Sequence, residues 1–251
     1  MNAGRLIHLV AHRGNAAEFP ENTLGAFNSA LQLGVRFLEL DVQLSRDGVP
    51  MVIHDHLLAR TTGQPGSVFE HDAAQLAQLQ AADPQRFGAP PYDAHIPLLT
   101  DGLGLLRGRP ELTLFIEIKA ASLRQFGHDF VVSRVLEAVG SWHKQCVIIS
   151  FDLTAVHRAR TLGRAPIGWV LPDCEAHSRL KWEALQPDFL FCDHARLPPQ
   201  GRLWPGPWRW AVYEVDTLPL ALELAARGAD YIETMAVRAL SDALRARQGQ
   251  P

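Results

Sequence analysis

Short apolar runs recur along this chain with helical patterns between them, and that rhythm constrains its fold more than any other feature. Eight runs stand out: Ile7–Ala11, Phe37–Val42, Leu114–Ile118, Val147–Ser150, Ile167–Leu171, Phe189–Cys192, Ala211–Val215 and Tyr231–Glu233. Each is short and apolar, as strands buried on both faces are. Between Thr23 and Leu33, the side chains Leu24, Phe27, Ala30 and Leu31 share one helical face; Asn22 or Thr23 can cap its start, and Gly34 ends it. Leu218–Arg227, closed by Gly228, repeats the pattern. Strands alternating with helices imply a parallel sheet, because parallel neighbours need a crossover long enough to hold a helix. The chain has 251 residues, close to the ~250 typical of a barrel of eight such units. The expected fold is α/β, a (β/α)8 TIM barrel. An open doubly wound sheet satisfies the same alternation, which does not itself require closure.

One stretch breaks the rhythm. After the second strand, Val49–His54 reads as a short extra strand, Asp72–Gln80 as a helix, and Asp83–Pro97 as a segment rich in Pro, Gly and polar residues. The expected organisation is one barrel over residues 1–251 with an inserted segment at about residues 57–97, a length more typical of functional excursions than of plain connections. A second irregular stretch, Leu197–Arg209, brings Trp204 and Trp208 close in sequence to Trp210. These indoles either line an apolar trough for a lipid-like substrate or pack under a loop, the commoner fate of large aromatics.

The charge balance excludes some partners. With 24 basic and 27 acidic residues the net charge is −3, which gives no sign of a nucleic-acid surface or a stable membrane association. Cys146, Cys174 and Cys192 form no C-x-x-C pair, which fits reduced thiols better than a disulfide framework or a zinc site. No run is long enough to span a bilayer, and Met1–Val10 lacks the apolar core and cleavage site of a signal peptide. The expectation is a cytoplasmic protein.

Chemistry enters where charge interrupts the apolar runs. Phe37-Leu-Glu-Leu-Asp-Val42 carries Glu39 and Asp41 two residues apart, hence on the same side of a strand. Two buried carboxylates repel unless something positive sits between them. Either a divalent cation supplies that charge, or the pair is salt-bridged or solvent-facing at a strand end. Leu114-Phe-Ile-Glu-Ile-Lys119 repeats the device with Glu117 and Lys119. Glu117 either completes an all-oxygen site suited to Mg²⁺, Ca²⁺ or Mn²⁺, or it pairs internally with Lys119. Ala11-His-Arg-Gly14 ends the first strand with a proton carrier, His12, and a phosphate-gripping fork, Arg13. Ile53-His-Asp-His56 ends the extra strand, with His54 pointing where the apolar run points and Asp55 free to orient a histidine or cap a turn. Barrels of this class place their active sites at the C-terminal strand ends. Three acids, two histidines, an arginine and a lysine gathered there form an inventory suited to phosphodiester hydrolysis.

These residues sit in longer stretches of text. The run AHRGNAAEFPENTLGAFNSALQLGVRFLELDVQLSRDGVPMVIHDHLLARTT, Ala11–Thr62, resembles the glycerophosphodiester phosphodiesterase family, and IPLLTDGLGLL, LFIEIK, SFD at Ser150–Asp152, VYEVD and DYIET follow in the expected order. The resemblance implies a (β/α)8 barrel that hydrolyses small-molecule glycerophosphodiesters to glycerol 3-phosphate and an alcohol. It also implies roles: Glu39, Asp41 and Glu117 as ligands of one divalent cation, Mg²⁺ or Ca²⁺ with Mn²⁺ as a further option; His12 and His54 as the acid–base pair; Arg13 and Lys119 as phosphate-binding residues. Glu21, in P-E-N-T, matches a family motif and would orient Arg13 or the first helix. Where many members read T-D after the eighth strand, this chain has Thr234-Met235, a departure that bears on loop structure and substrate fit. A lysolipid diesterase and a non-catalytic phosphate-ester-binding barrel are the competing readings.

Overall fold

The computed structural model describes residues 7–88, 94–174 and 176–248; Met1–Leu6, residues 89–93 of the inserted segment and the last three residues lie outside them. The strands are β1 (His8–Ala11), β2 (Phe37–Leu44), β3 (Pro50–Val52), β4 (Thr113–Ile118), β5 (Cys146–Ser150), β6 (Ile167–Val170), β7 (Phe189–Asp193), β8 (Arg209–Tyr213) and β9 (Tyr231–Thr234). β1 pairs in parallel with both β2 and β9, and every other barrel neighbour is also parallel, so eight strands close on themselves. The fold is a (β/α)8 barrel. The open-sheet alternative fails at the β1–β9 seam, where His8 through Ala11 register with Tyr231 through Thr234.

The eight sequence runs fall on the eight barrel strands with ends displaced by one or two residues. β8 is the largest departure, starting at Arg209 rather than Ala211. The helix Leu24–Gln32 is capped by Thr23, whose Oγ1 accepts from the amide of Ala26, and not by Asn22. The helix expected over Asp72–Gln80 is only one turn, Ala73–Leu76, capped by a reciprocal Asp72–Gln75 pair.

Side chains alternate across each barrel strand. Leu38, Leu40, Ile116, Ile148 and Ile232 face outward into the layer beneath the helices. Val10, Phe115, Val147, Val170, Phe191 and Tyr231 fill the barrel interior, each fully buried large side chain stabilising the fold by roughly 1.5–3 kcal/mol. Gly168 makes room among them: a Cβ there would meet Ile149 Cγ2 at 2.9 Å and Phe189 Cβ at 3.2 Å. The interior is therefore packed below, and polar only near the C-terminal strand ends.

β2 outruns its barrel neighbours. Beyond the barrel, Val42, Gln43 and Leu44 pair antiparallel with Val52, Met51 and Pro50 of β3. The inserted segment that follows has a small core of its own, with Met51, Ile53, Leu58, Val68, Leu76 and Ile96 all buried. The tryptophans pack under a loop. Trp208 and Trp210 are buried, and both indole N–H groups donate to the carbonyl of Trp204, at 3.3 and 2.9 Å. Together with Trp204 they line a cavity of about 690 Å³, but it opens beside Ile7 and Asp230 at the N-terminal strand ends, away from the C-terminal ends where the ionisable residues gather. Cys174 and Cys192, distant in sequence, meet as thiols with their Sγ atoms 3.5 Å apart, within hydrogen-bond reach and not joined as a disulfide.

Candidate active site at the C-terminal barrel mouth

The first strand ends in a forced turn. Arg13 and Gly14 both have positive φ, 57° and 83°. A Cβ on Gly14 would lie 2.7 Å from the backbone of Ala26, so this turn requires glycine. The turn aims His12 into the barrel and leaves the amide of Arg13 to donate to Glu39 Oε2 at 3.2 Å. In the P-E-N-T motif, Asn22 also adopts positive φ, 58°. Its side chain clasps Asp41 twice: Nδ2 donates to Oδ2 at 2.8 Å, and Oδ1 accepts from the Asp41 amide at 3.2 Å.

The register of β2 and β4 sets Asp41 beside Glu117. Carboxylate oxygens of Glu39, Asp41 and Glu117 can all lie within 4.8 Å of one another, and all three side chains are buried. Lys119 Nζ reaches Glu117 Oε1 at 2.7 Å and Asp41 Oδ1 at 3.1 Å; Arg13 Nε lies 3.0 Å from Asp41 Oδ2. Both sequence readings of Glu117 are therefore realised in one place, since it pairs with Lys119 and belongs to the acidic group. Three carboxylates against two cations leave the cluster short of positive charge, and Glu39 Oε1 is buried with no hydrogen-bond partner.

The proton affinities follow from this arrangement. Burial, reinforced by Asp41, Glu233 and Glu117, pushes the Glu39 carboxyl well above the usual range. Burial also works to raise Asp41, but Lys119 and Arg13 outweigh it and hold that carboxyl well below the usual range. Glu117 is raised by burial, against the pull of Lys119. Burial and the neighbouring Arg13 lower His12 to about 3, so its imidazole is neutral near pH 7.

His54 follows β3, beside the two acids of β2. The amide of Ile53 donates to the Asp41 carbonyl at 3.0 Å, and Gln43 Nε2 donates to the His54 carbonyl at 2.8 Å. Asp55 orients a histidine rather than capping a turn: its Oδ1 lies 2.6 Å from His54 Nδ1. Its other oxygen accepts from Arg60 Nε at 2.5 Å. Arg60 also grips Glu21 with two hydrogen bonds, at 2.7 and 2.9 Å, and Glu21 accepts from Arg13 at 3.2 Å. One connected network thus joins His54 to Arg13, with Arg60 of the inserted segment as its bridge.

All seven residues singled out in the sequence converge here. His12, Arg13, His54, Glu117 and Lys119 line a cavity of about 120 Å³, and Glu39 and Asp41 lie against it. Seven further residues complete the wall: the apolar Ile149, Val170 and Phe191, and Phe151, Tyr213, Glu214 and Glu233, which lie in the SFD, VYEVD and DYIET stretches but have no role assigned from sequence. Glu233 had a legible signal, being an acid at the end of the apolar run Tyr231–Glu233, the same anomaly that marked Glu39 and Asp41. It is 3% exposed, and His12 Nε2 lies 3.9 Å from both Glu233 Oε1 and Glu39 Oε2. His12, Glu39 and Glu233 form a second group close enough to share an ion. Near Thr234-Met235, the Thr234 hydroxyl donates to Asp216 at 2.8 Å, so an acid from the loop after β8 meets this turn.

Similar proteins have similar chains. The model of the glycerophosphoryl diester phosphodiesterase family matches residues 12–183, more than half of the chain. A glycerophosphodiester phosphodiesterase of Caldanaerobacter subterraneus is 34% identical over 146 residues, 57% of this chain and 58% of that protein. Human glycerophosphodiester phosphodiesterase 1 is 33% identical over 162 residues, 63% of this chain and 46% of that protein. The chain thus spans about half the length of the curated relatives it matches. Among solved structures, a phosphodiesterase of Oleispira antarctica in complex with its product sn-glycerol-3-phosphate superposes with a TM-score of 0.80 at 22% identity, covering 96% of this chain and 97% of that one. A glycerophosphodiester phosphodiesterase of Agrobacterium tumefaciens gives a TM-score of 0.72 at 26% identity, covering 94% and 100%. With the barrel closed, the acids, histidines and cations gathered at its mouth and the family model matched across them, the chain belongs to the glycerophosphoryl diester phosphodiesterase family.

Proposed function

We propose that this protein hydrolyses glycerophosphodiesters to glycerol 3-phosphate and an alcohol with one bound divalent cation, and that the described chain acts as a single catalytic unit. The observation that carries this is the acidic cluster of Glu39, Asp41 and Glu117, buried and short of positive charge, beside two histidines and two phosphate-gripping cations. The donor set fits such a cation: all ligand atoms are hard oxygens, and Glu39 Oε1 lacks any hydrogen bond that it would have to give up. Mg²⁺ or Ca²⁺ suits it, with Mn²⁺ also compatible. When bound, the cation supplies Lewis-acid stabilisation of the charge that builds on the phosphoryl oxygens.

The rest falls to the chain's own side chains. Arg13 and Lys119, held in place by Glu21, Asp41 and Glu117, offer N–H donors to the phosphoryl oxygens. His12 and His54 share the proton work: one accepts the proton of the attacking hydroxyl, and the other returns a proton to the departing alkoxide. Asp55 fixes the ring of His54, and the turn at Arg13–Gly14 fixes His12. The apolar walls at Ile149, Val170 and Phe191 restrict water beside these groups.

The test is release of glycerol 3-phosphate from glycerophosphocholine and glycerophosphoethanolamine with Mg²⁺, Ca²⁺ or Mn²⁺, and with EDTA. Cation-dependent release is expected. Folded protein that releases none with any of the three ions would sink the proposal.

A further inference from the structure

Charge is unevenly divided around the cavity. On the side of β1, β2 and β4, Arg13 and Lys119 face three carboxylates, and a divalent ion with a singly charged phosphodiester would complete that balance. On the side of β5, β8 and β9 no cationic side chain lines the cavity among the described residues, yet two acids do. Glu233 is 3% exposed, and no hydrogen bond reaches its carboxylate among the described residues; His12 Nε2 lies 3.9 Å away, too far for one. Glu214, with its side chain 52% exposed, lies 3.7 Å from His12 Nδ1.

The same side is aromatic. Phe151 follows β5 and stands 41% exposed at the mouth, with its ring open to a ligand in the cavity. Tyr213, at the end of β8, lines the same wall beside Glu214, with its ring centroid 6.4 Å from that of His12. An aromatic face next to an uncompensated carboxylate attracts one chemical class above others, an organic ammonium. The ring quadrupole and the carboxylate both favour a cation, and the apolar ring surface suits its methyl or methylene groups.

We propose that Phe151, Tyr213, Glu214 and Glu233 form a subsite for a cationic head group, so that the preferred glycerophosphodiesters carry an amino alcohol rather than a neutral polyol. This rests on the hydrolysis proposed above and adds the class of alcohol released. The phosphate lies against Arg13 and Lys119, and the ester arm that crosses the cavity brings its ammonium to Glu214 and the ring of Phe151. Glu233 closes the buried wall behind it.

The experiment compares kcat/KM for glycerophosphocholine, glycerophosphoethanolamine and the uncharged-head-group substrate glycerophosphoglycerol, in Mg²⁺, for wild type, Glu214→Gln and Phe151→Ala. Both variants change exposed side chains, and circular dichroism checks that each is folded. Wild type is expected to favour the two cationic substrates over glycerophosphoglycerol by about tenfold. Glu214→Gln is expected to bring that ratio close to one, and Phe151→Ala to lower it most for choline. Equal turnover of all three substrates by wild type, or a ratio untouched by Glu214→Gln, overturns the subsite and leaves the hydrolysis standing. A loss in Glu214→Gln that is uniform across substrates and is relieved by higher Mg²⁺ assigns the acid to a second metal ion and overturns the subsite as well. No turnover of any substrate by folded wild type overturns both readings.

Discussion

His12 and His54 occupy different surroundings although both serve proton transfer in the proposed mechanism. His12 is buried and neutral, whereas His54 is tied to Asp55 and through it to Arg60. Replacing either with Ala is expected to lower kcat by roughly 10²-fold or more, with circular dichroism confirming the fold; near-normal rates in both variants would remove them from the proton path. Arg60 makes a sharper case, because it sits outside the cavity and acts only through others. Arg60→Ala is expected to lower kcat/KM by about tenfold and to alter the pH–rate profile, because Asp55 and Glu21 each lose their main cationic partner. Arg60→Lys should restore little, since one ammonium cannot reproduce the paired grip on Glu21. A pH profile identical to wild type would reduce Arg60 to a surface contact. Residues of this kind explain what the sequence made legible. Glu39, Asp41 and Glu117 betrayed themselves as charges inside apolar runs. Arg60 lies in the one-turn helix Ala59–Thr62 and Asn22 in the turn before the first helix, where an arginine or asparagine is unremarkable, and their partners are 39 and 19 residues away in the chain.

Among the elements, strands were legible because burial on both faces makes them continuous apolar runs, and their ends were less so. β8 begins two residues early because Trp210 is an outward-facing barrel residue that sequence assigns as readily to the loop. The helix at Ala73–Leu76 stops after one turn because the inserted segment folds over its own small core and not along the barrel. Gly168 carries a prediction at this scale. Gly168→Ala forces a Cβ into the space held by Ile149, Phe189 and Phe191, and a destabilisation of about 1–3 kcal/mol is expected. Urea denaturation would register it as a lower midpoint at unchanged slope. An unchanged midpoint would mean that the interior has slack that its close contacts deny.

For the whole molecule, closure was the feature that local pattern left open, because the pairing of β1 with β9 joins residues more than two hundred positions apart. Closure also concentrates charge, and stability should report it. Glu39 and Glu233 have carboxyl pKa values raised by burial and by each other's neighbours. In the absence of a cation their contribution is fully present below the unfolded carboxyl value and is lost as pH rises through the raised folded value. A divalent cation acts in the opposite sense, since it must displace protons at low pH and meets free carboxylates at high pH. Saturating Mg²⁺ or Ca²⁺ is therefore expected to raise Tm by about 5–10 °C at pH 8 and by clearly less at pH 5, and Glu39→Gln should remove most of the gain. An equal gain at both pH values would place the ion elsewhere. The seam between β1 and β9 has one more consequence, for the order in which a nascent chain becomes an enzyme. Every group proposed to hold the ion, grip phosphate or move a proton lies between His12 and Lys119, whereas the wall facing them comes from Phe151 to Glu233. The ribosome therefore finishes the reactive half long before the selective half, and only the last barrel strand to emerge brings Glu233 against His12. If the subsite proposed above selects the alcohol, substitutions confined to the later half should change the substrate preferred while leaving the groups between His12 and Lys119 in place.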